Sequence, residues 1–424
     1  MSRTELEDQQ FYGLGIAPTL LERLEALGFK HPTPIQFKAI PVATGGDDVI
    51  GIAQTGTGKT LAFSIPMLQQ MSARSKMGLV LLPTRELAVQ VEETLCKLAG
   101  PLGLRTVVLI GGVSMGPQMK GLRAKPHVIV ATPGRLIDHL EQKNVRLDRV
   151  GVLVLDEADR MLDMGFAPQL KKILAVVPSE RQTMLFSATM PEEIAKIART
   201  YMKSPLRVEV APSGTAAEKV DQEVYIVPKA EKAQLLGRLL QEHKGTVLVF
   251  TRTKHGARKV ARDVAHMRHT VAEIHSNRSQ HQRQDALKGF SNGRYRVLVA
   301  TDIAARGIDV KNIELVLNYD LPDHTEDYVH RIGRTGRAGL SGKAISLADP
   351  AQKGDIRQIE RLIRKTLQVK TPSGELVDRS HDLSVPAGSS QQRRGPRPPF
   401  RGGNRSGRPG GRSGGYRGGP RRPR

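Results

Sequence analysis

The sequence predicts an α/β chain: two tandem parallel-sheet domains, each wrapped by helices, then a basic tail with no periodicity. Three observations carry this. Short unbroken runs of Val, Ile and Leu alternate with stretches whose apolar residues recur at helical spacing. The alternation stops at a Pro/Ser/Gly-bearing stretch, 211–219, and then restarts. After about residue 372 it disappears, and residues 391–424 hold eleven Arg, ten Gly and six Pro, with no Lys and no acid.

In the first half the apolar runs fall at 48–52, 78–82, 106–110, 127–131, 150–155 and 183–187. An unbroken apolar run of this length is a strand buried on both faces, which means a parallel sheet covered by helices. Leu61–Met71 and Glu86–Leu98 have the spacing of such helices. The second half repeats the pattern at 223–227, 246–250, 271–275, 296–300 and 313–317, and a helical pattern over Asp355–Leu367 closes it. Val130-Ala131-Thr132 and Val299-Ala300-Thr301 each end a strand, a short echo between the halves. The expected divisions are an N-terminal segment (1–37) packing on the first domain (38–210), a linker (211–220), a second domain (221–371) and a disordered tail (372–424).

The charge narrows the class. The 424 residues carry 65 Lys+Arg against 42 Asp+Glu, a formal +23, and nearly half of that excess sits in the tail. Cys96 is the single cysteine, so no disulfide forms within the chain and a reducing compartment is expected. Met1–Gln10 is polar and acidic, unlike a secretory leader. No apolar run approaches the roughly 20 residues that span a bilayer. Secreted, membrane-spanning and disulfide-scaffold classes are therefore excluded. A basic balance points to nucleic acid, with acidic membrane surfaces the other open reading.

The sharpest motif is Ala53-Gln54-Thr55-Gly56-Thr57-Gly58-Lys59-Thr60, set between the strand at 48–52 and the helix at 61–71. Strand, glycine-rich loop and helix together make a P-loop. Gly56 and Gly58 let backbone N–H groups face phosphate at a helix N-terminus. Lys59 supplies charge to the outer phosphates, and Thr60 a hydroxyl to Mg²⁺. Ala53 stands where the general pattern has its first glycine. One hundred residues on, Asp156-Glu157-Ala158-Asp159 follows a buried strand. Acids after a strand commonly favour a helix N-terminus. Beside a P-loop, however, Asp156 can reach the metal and Glu157 can polarise a water for in-line attack. In the second half, Arg331, Arg334 and Arg337 share one face if His330–Arg337 is helical, which suits arginine fingers, a solvated basic face or RNA contact.

Aromatics are 4% and Trp is absent, so base-stacking platforms are not prominent. Pro83-Thr84-Arg85-Glu86 and Thr132-Pro133-Gly134-Arg135 each follow a strand and open a helix, where hydroxyls, Arg and free N–H groups suit backbone phosphates. Helix capping with Pro in the first turn accounts for either motif alone equally well.

Taken together over about residues 9–370, these motifs resemble those of the DEAD-box ATP-dependent RNA helicases, in family order. Gly28–Gln36, with Phe11 upstream, resembles the adenine-recognising Q motif. Ala53–Thr60, Pro83–Leu87, Gly111-Gly112, Thr132–Arg135 and Asp156–Asp159 resemble the first-domain motifs, and Ser187-Ala188-Thr189 the third. Val249–Thr253, Gln280 with Arg283, Thr301–Asp309 and His330–Arg337 resemble those of the second domain. Thr251–Ala257 and the tail look most like the bacterial RhlE group. Ser276 after His275, and Asp47 before Asp48, depart from the usual residues.

The resemblance implies two RecA-like domains, ATP and Mg²⁺ as ligands, and RNA as partner, in the cytoplasm with no membrane role. It implies that Gln36 reads the adenine edge and Phe29 stacks on it, with Phe11, Thr55, Gly56, Thr57, Gly58, Gly307 and Asp309 also at the nucleotide. Thr60 and Asp156 hold the metal, Glu157 acts on the water, and Arg334 and Arg337 are fingers. Ser187 and Thr189 link hydrolysis to strand separation. Pro83, Thr84, Arg85, Gly112, Thr132, Pro133, Gly134, Arg135, Arg252, Thr253 and Thr301 meet RNA. An unwinding ATPase and an ATP-gated RNA clamp or ribonucleoprotein remodeller both fit, whereas a P-loop ATPase of another kind does not explain Gln36. Ribosome-assembly and RNA-decay proteins are both open as partners. The tail has no part in this chemistry; it is expected to tether RNA nonspecifically and with strong salt dependence. Deleting residues 391–424 should weaken RNA binding, mostly at low salt, and leave turnover at saturating RNA nearly intact. A collapse of saturated turnover would assign the tail to the catalytic machinery.

Overall fold

The computed structural model describes residues 10–54, 56–74, 76–210, 220–305, 313–336 and 342–377; the stretch 211–219 and the Arg-rich tail lie outside them. In the first half the chain runs α1 (Pro18–Ala26), α2 (Pro34–Thr44), β1 (Val49–Ile52), α3 (Lys59–Arg74), β2 (Met77–Leu81), α4 (Arg85–Ala99), β3 (Thr106–Leu109), α5 (Met115–Arg123), β4 (Val128–Ala131), α6 (Pro133–Glu141), β5 (Val150–Leu155), α7 (Ala158–Asp163), α8 (Ala167–Val176), β6 (Gln182–Ser187), α9 (Glu192–Tyr201) and β7 (Leu206–Glu209). The second half runs β8 (Val220–Ile226), α10 (Lys232–Glu242), β9 (Val247–Thr251), α11 (Lys254–His266), β10 (Val271–Ile274), α12 (Gln280–Ser291), β11 (Val297–Thr301), α13 (Asp302–Ala305), β12 (Leu315–Asn318), α14 (Thr325–Ile332), β13 (Gly342–Ala348), α15 (Lys353–Ile363) and β14 (Gln368–Lys370).

Each half forms a seven-stranded sheet, in the orders β3-β4-β2-β5-β6-β1-β7 and β10-β11-β9-β12-β13-β8-β14. Every pairing within them is parallel. The second order is the first with seven added to each strand number. The halves are thus wound alike, and the Val-Ala-Thr echo ends β4 and β11, which occupy the same place in the two sheets. Successive residues of the inner strands enter separate cores. Val80, Val130, Val154 and Phe186 pack on one face of the first sheet, and Leu79, Ile129, Leu153 and Leu185 on the other. This double burial explains why the strands read as unbroken apolar runs.

Three strands were not legible as apolar runs. β7 and β14 are edge strands with few buried residues. β13 carries Lys343 and Ser346, and Ser346 Oγ accepts from Asn318 Nδ2 at 3.0 Å within the sheet. The closing helix ends at Ile363 because Arg364 turns left-handed, at φ 53°, and Leu367 leads into β14. Packing continues past residue 372: Val377 N donates to Val369 O at 2.8 Å.

Asp48, at the entrance to β1, ties the sheet together. Its buried carboxylate accepts from Thr183 N at 2.6 Å and Lys203 N at 2.7 Å, joining β1 to β6 and to the approach of β7. Asp48→Ala leaves two backbone donors unmet and is expected to lower unfolding stability by about 2–4 kcal/mol. Denaturant titration of the variant measures it, and an unchanged midpoint would remove this tie from the fold's supports.

Candidate active site and nucleic-acid interface

In a parallel sheet every crossover returns the chain so that the carboxyl ends share one edge. The motifs after β1, β2, β3, β4, β5 and β6 therefore meet there. The glycine-rich loop leaves β1 with Gly56 at φ 86° and Gly58 at φ 94°, the left-handed region that only glycine enters freely. At Gly58 a Cβ would sit 2.4 Å from Gln36 Nε2 and 2.8 Å from Thr33 Oγ1. Gln36 approaches this closely because it does two tasks. Its Oε1 accepts from Thr33 N at 2.8 Å, completing a capping box on α2, and its Nε2 donates to Gly58 O at 2.9 Å. Thr57 Oγ1 donates to Gln54 O at 2.7 Å and braces the loop.

Lys59 is the first residue of α3. Its ammonium is buried, lies 3.9 Å from Asp156 Oδ1 and has no hydrogen-bond partner. A buried charge left short of partners is costly, and an incoming phosphate relieves that cost. Burial pushes the Asp156 carboxyl up to about 6, against the opposing pull of Lys59. Asp156 Oδ1 accepts from Glu157 N at 2.9 Å. Glu157 itself sits at φ 50°, ψ 50°, costing about 1–2 kcal/mol for a non-glycine residue. Local strain of this kind persists where surrounding structure holds it.

The last acid of the tetrad is a hub that sequence reasoning left without a role. Asp159 Oδ2 accepts from Ala188 N at 3.1 Å, Thr189 N at 2.9 Å and Thr189 Oγ1 at 2.9 Å. Asp159 N in turn donates to Ser187 Oγ at 3.3 Å. Ser187 and Thr189 are thereby tied to the segment after β5, and Ser187 O also accepts from Ala53 N, at the start of the glycine-rich loop, at 3.0 Å.

Around the same edge Thr84 caps α4 by accepting from Leu87 N at 3.4 Å, and the Arg85 guanidinium lies so near Gly112 that a Cβ there would fall 1.8 Å from Arg85 Nη1. Burial, then the like charges of Arg283 and Arg135, hold Arg85 below its usual range. Arg135, behind Thr132, Pro133 and Gly134, donates from Nη1 to Val113 O at 3.1 Å. Gln118, absent from the sequence reading, accepts from Ile110 N and donates to Ile110 O, and so fixes the start of the Gly111-Gly112 loop. In the second half Thr253 caps α11 as Thr84 caps α4, accepting from Gly256 N at 3.0 Å. Arg252 pairs with Asp323 at 2.9 Å, and Thr301 ends β11.

Two buried ion pairs join the halves. Arg160, next to the tetrad, donates to Asp327 on α14, and Arg283 Nε donates to Glu86 Oε1 at 2.8 Å. Sequence could not reveal the first pair, whose members are 167 residues apart. The helical condition for a shared arginine face is not met, since α14 ends at Ile332, before Arg334. Arg331 instead is a buried anchor, forked onto both oxygens of Asp302 at 2.5 and 2.7 Å and stacked over Phe250. Arg334 is buried in the turn beyond and lines, with Arg160 and Asp327, a void of about 10 Å³, the size of one water. Phe11 lies in the first-half core, whereas Phe29 remains 39% exposed. Thr55, Gly307, Asp309 and Arg337 fall outside the described residues. Among the described residues no cluster of three or more His, Cys, Asp or Glu is placed to hold a metal, and no helix is long and apolar enough to cross a membrane.

Comparison with known proteins agrees with this geometry. Residues 33–197 match the DEAD/DEAH box helicase family model, and residues 231–339 the helicase conserved C-terminal domain. The chain is 43% identical over 382 residues to the ATP-dependent rRNA helicase RRP3 of Debaryomyces hansenii, covering 89% of this chain and 80% of the relative. It is 41% identical to DEAD-box ATP-dependent RNA helicase 30 of Arabidopsis thaliana, covering 88% and 65%. Among solved structures it is similar to Saccharomyces cerevisiae Dbp5 bound to RNA and ADP BeF3, with TM-score 0.76, 29% identity and coverage of 86% and 95%. Mss116p bound to ssRNA and AMP-PNP gives TM-score 0.78, 29% identity and coverage of 84% and 77%. With both halves matched and their motifs gathered on one edge, the chain belongs to the DEAD/DEAH box helicase family.

Proposed function

We propose that the protein is an ATP-dependent RNA helicase that couples RNA-stimulated ATP hydrolysis to local opening of short duplexes. The buried Lys59 ammonium without a hydrogen-bond partner carries the reading: it opens a helix behind two left-handed glycines, a cradle suited to triphosphate. In this reading Gln36 and Phe29 meet the adenine, and the loop amides with Lys59 hold the phosphates. Thr60 and Asp156 would hold Mg²⁺, which neutralises charge on the phosphates when bound; two protein oxygens suit an ion that keeps waters and substrate ligands. Glu157 accepts a proton from the attacking water. Thr84, Arg85, Gly134, Arg135 and Thr301 grip one RNA backbone without reading bases. Closure of the halves brings Arg334 toward the γ-phosphate and bends that strand, which a duplex cannot follow. Since RNA and ATP each favour the closed state, each raises the other's affinity by the same factor.

The domain divisions proposed are those of the sequence reading, with the linker shortened to 211–219 because Val220 begins β8 and the second domain extended to Val377, which bonds to β14. The Arg/Gly tail and Thr251–Ala257 favour a bacterial, cytoplasmic protein of the RhlE group; the fungal and plant relatives leave that subgroup open.

ATP turnover measured without polymer, with single-stranded DNA and with single-stranded RNA tests the function. Strong stimulation by RNA alone is expected, and equal stimulation by DNA would overturn the RNA assignment. Glu157→Gln should keep ATP and RNA binding while losing turnover by at least about 100-fold. Arg160→Glu leaves the buried Asp327 carboxylate uncompensated, at a cost of about 3–5 kcal/mol to the closed arrangement, and should depress RNA-stimulated turnover. Adding Asp327→Arg should restore part of it. If the swap rescues nothing, the pair has no part in closure.

A further inference from the structure

Opposite the catalytic edge, the amino edge of the first sheet carries a row of basic residues. Lys76, Arg105, His127 and Arg149 each stand immediately before a strand: β2, β3, β4 and β5. Because those strands lie side by side in the order β3-β4-β2-β5, the four residues are neighbours across the sheet, at roughly 4.8 Å per strand. With Lys125 they line an open pocket of about 500 Å³. Its remaining lining is apolar: Met71, Met77, Leu104 and Pro126. Among the described residues no carboxylate lines it. Glu180, whose backbone oxygen receives Lys76 Nζ, has its carboxylate paired with Lys203 at 2.8 Å.

Internal structure engages part of this row, and Lys76 Nζ donates to Glu180 O at 3.3 Å. Arg105 donates from Nε to Ala124 O at 3.0 Å and from Nη2 to Lys125 O at 3.1 Å, which orients the guanidinium and leaves Nη1 without a hydrogen-bond partner among the described residues. Lys125 holds a left-handed turn at φ 52° and lines the pocket. His127 Nδ1 accepts from Arg105 N at 3.0 Å, so the ring proton sits on Nε2 and the neutral imidazole offers a donor. Burial, then Arg105 and Arg149, hold its pKa below the usual range. Like charges gathered on an apolar floor oppose folding, and an anion relieves that opposition.

We infer that this pocket is a second phosphate site, distinct from the ATP cradle, that takes a nucleotide unit with its phosphate on the basic row and its base on the apolar floor. The unit is either a free nucleotide or one residue of an RNA strand passing outside the cleft.

Full-length protein labelled with ¹³C at histidine Cε1 tests this by NMR, with the His127 signal assigned through His127→Gln. The probes are inorganic phosphate, uridine 5′-monophosphate and oligouridylate. Uridine monophosphate should shift the His127 signal at lower concentration than phosphate and raise its titration midpoint. A response to oligouridylate much tighter than to the mononucleotide assigns the site to an RNA strand; equal responses assign it to free nucleotide. Lys125→Glu with Arg149→Glu should weaken either response at least about tenfold while RNA-stimulated turnover persists. Lys125→Gln, which removes the charge while keeping most of the side chain, gives the same direction if the double variant fails to fold. Silence of His127 toward all three probes overturns the proposal, as does a uridine monophosphate response no tighter than that of phosphate, which would mean an adventitious ion only. The imidazole signal does not pass through turnover, so this site and the helicase reading stand or fall separately.

Discussion

A buried ammonium must find negative charge or oxygen lone pairs, and two equally buried lysines meet this demand in opposite ways. Lys59 opens α3 after β1, and Lys232 opens α10 after β8, the strand in the same place in the second sheet. Lys232 Nζ donates to Tyr319 O at 2.7 Å and to Asp320 Oδ1 at 3.3 Å, and lies over the Tyr319 ring. Among the described residues Lys59 has Asp156 alone, at 3.9 Å. The second sheet has filled its own cradle: the β8–α10 connection reads Val-Pro-Lys-Ala-Glu, without glycines that would turn amides outward. The first has left its cradle to a ligand. One fold used twice therefore has one open glycine cradle at its carboxyl edge and one that its own side chains fill.

The tetrad segment links that site to everything else. Asp156 faces Lys59, Asp159 clamps Ser187–Thr189, and Arg160 crosses to Asp327, all within five residues. Buried ion pairs between halves are expensive to desolvate and lose most of their value when either partner is withdrawn. Such pairs favour two discrete arrangements, together or apart, over a continuum between them. That is the property a nucleotide-timed grip on a strand requires.

The chemistry-bearing loops were legible because each depends on local backbone geometry. Gly56 and Gly58 must be glycine for φ alone, and Thr84 and Thr253 cap the helices they precede. The inner strands were legible because burial on both faces demands unbroken apolar runs. β7 and β14 were not, since an edge strand needs few apolar residues, and β13 was masked by a serine satisfied inside the sheet.

Two parallel α/β halves, a glycine-rich loop and a basic tail are legible along the chain, because periodicity, glycine φ and charge act within a few residues. Long-range packing sets the rest: the halves share one winding order, Arg331 anchors on Asp302, and Asp159 and Arg160 join the edge after β5 to Ser187 and to Asp327. It also gathered Lys76, Arg105, His127 and Arg149 into a row. These facts rest on which strands lie side by side and which charges are buried together, and residues tens to hundreds of positions apart carry no local signal of their meeting.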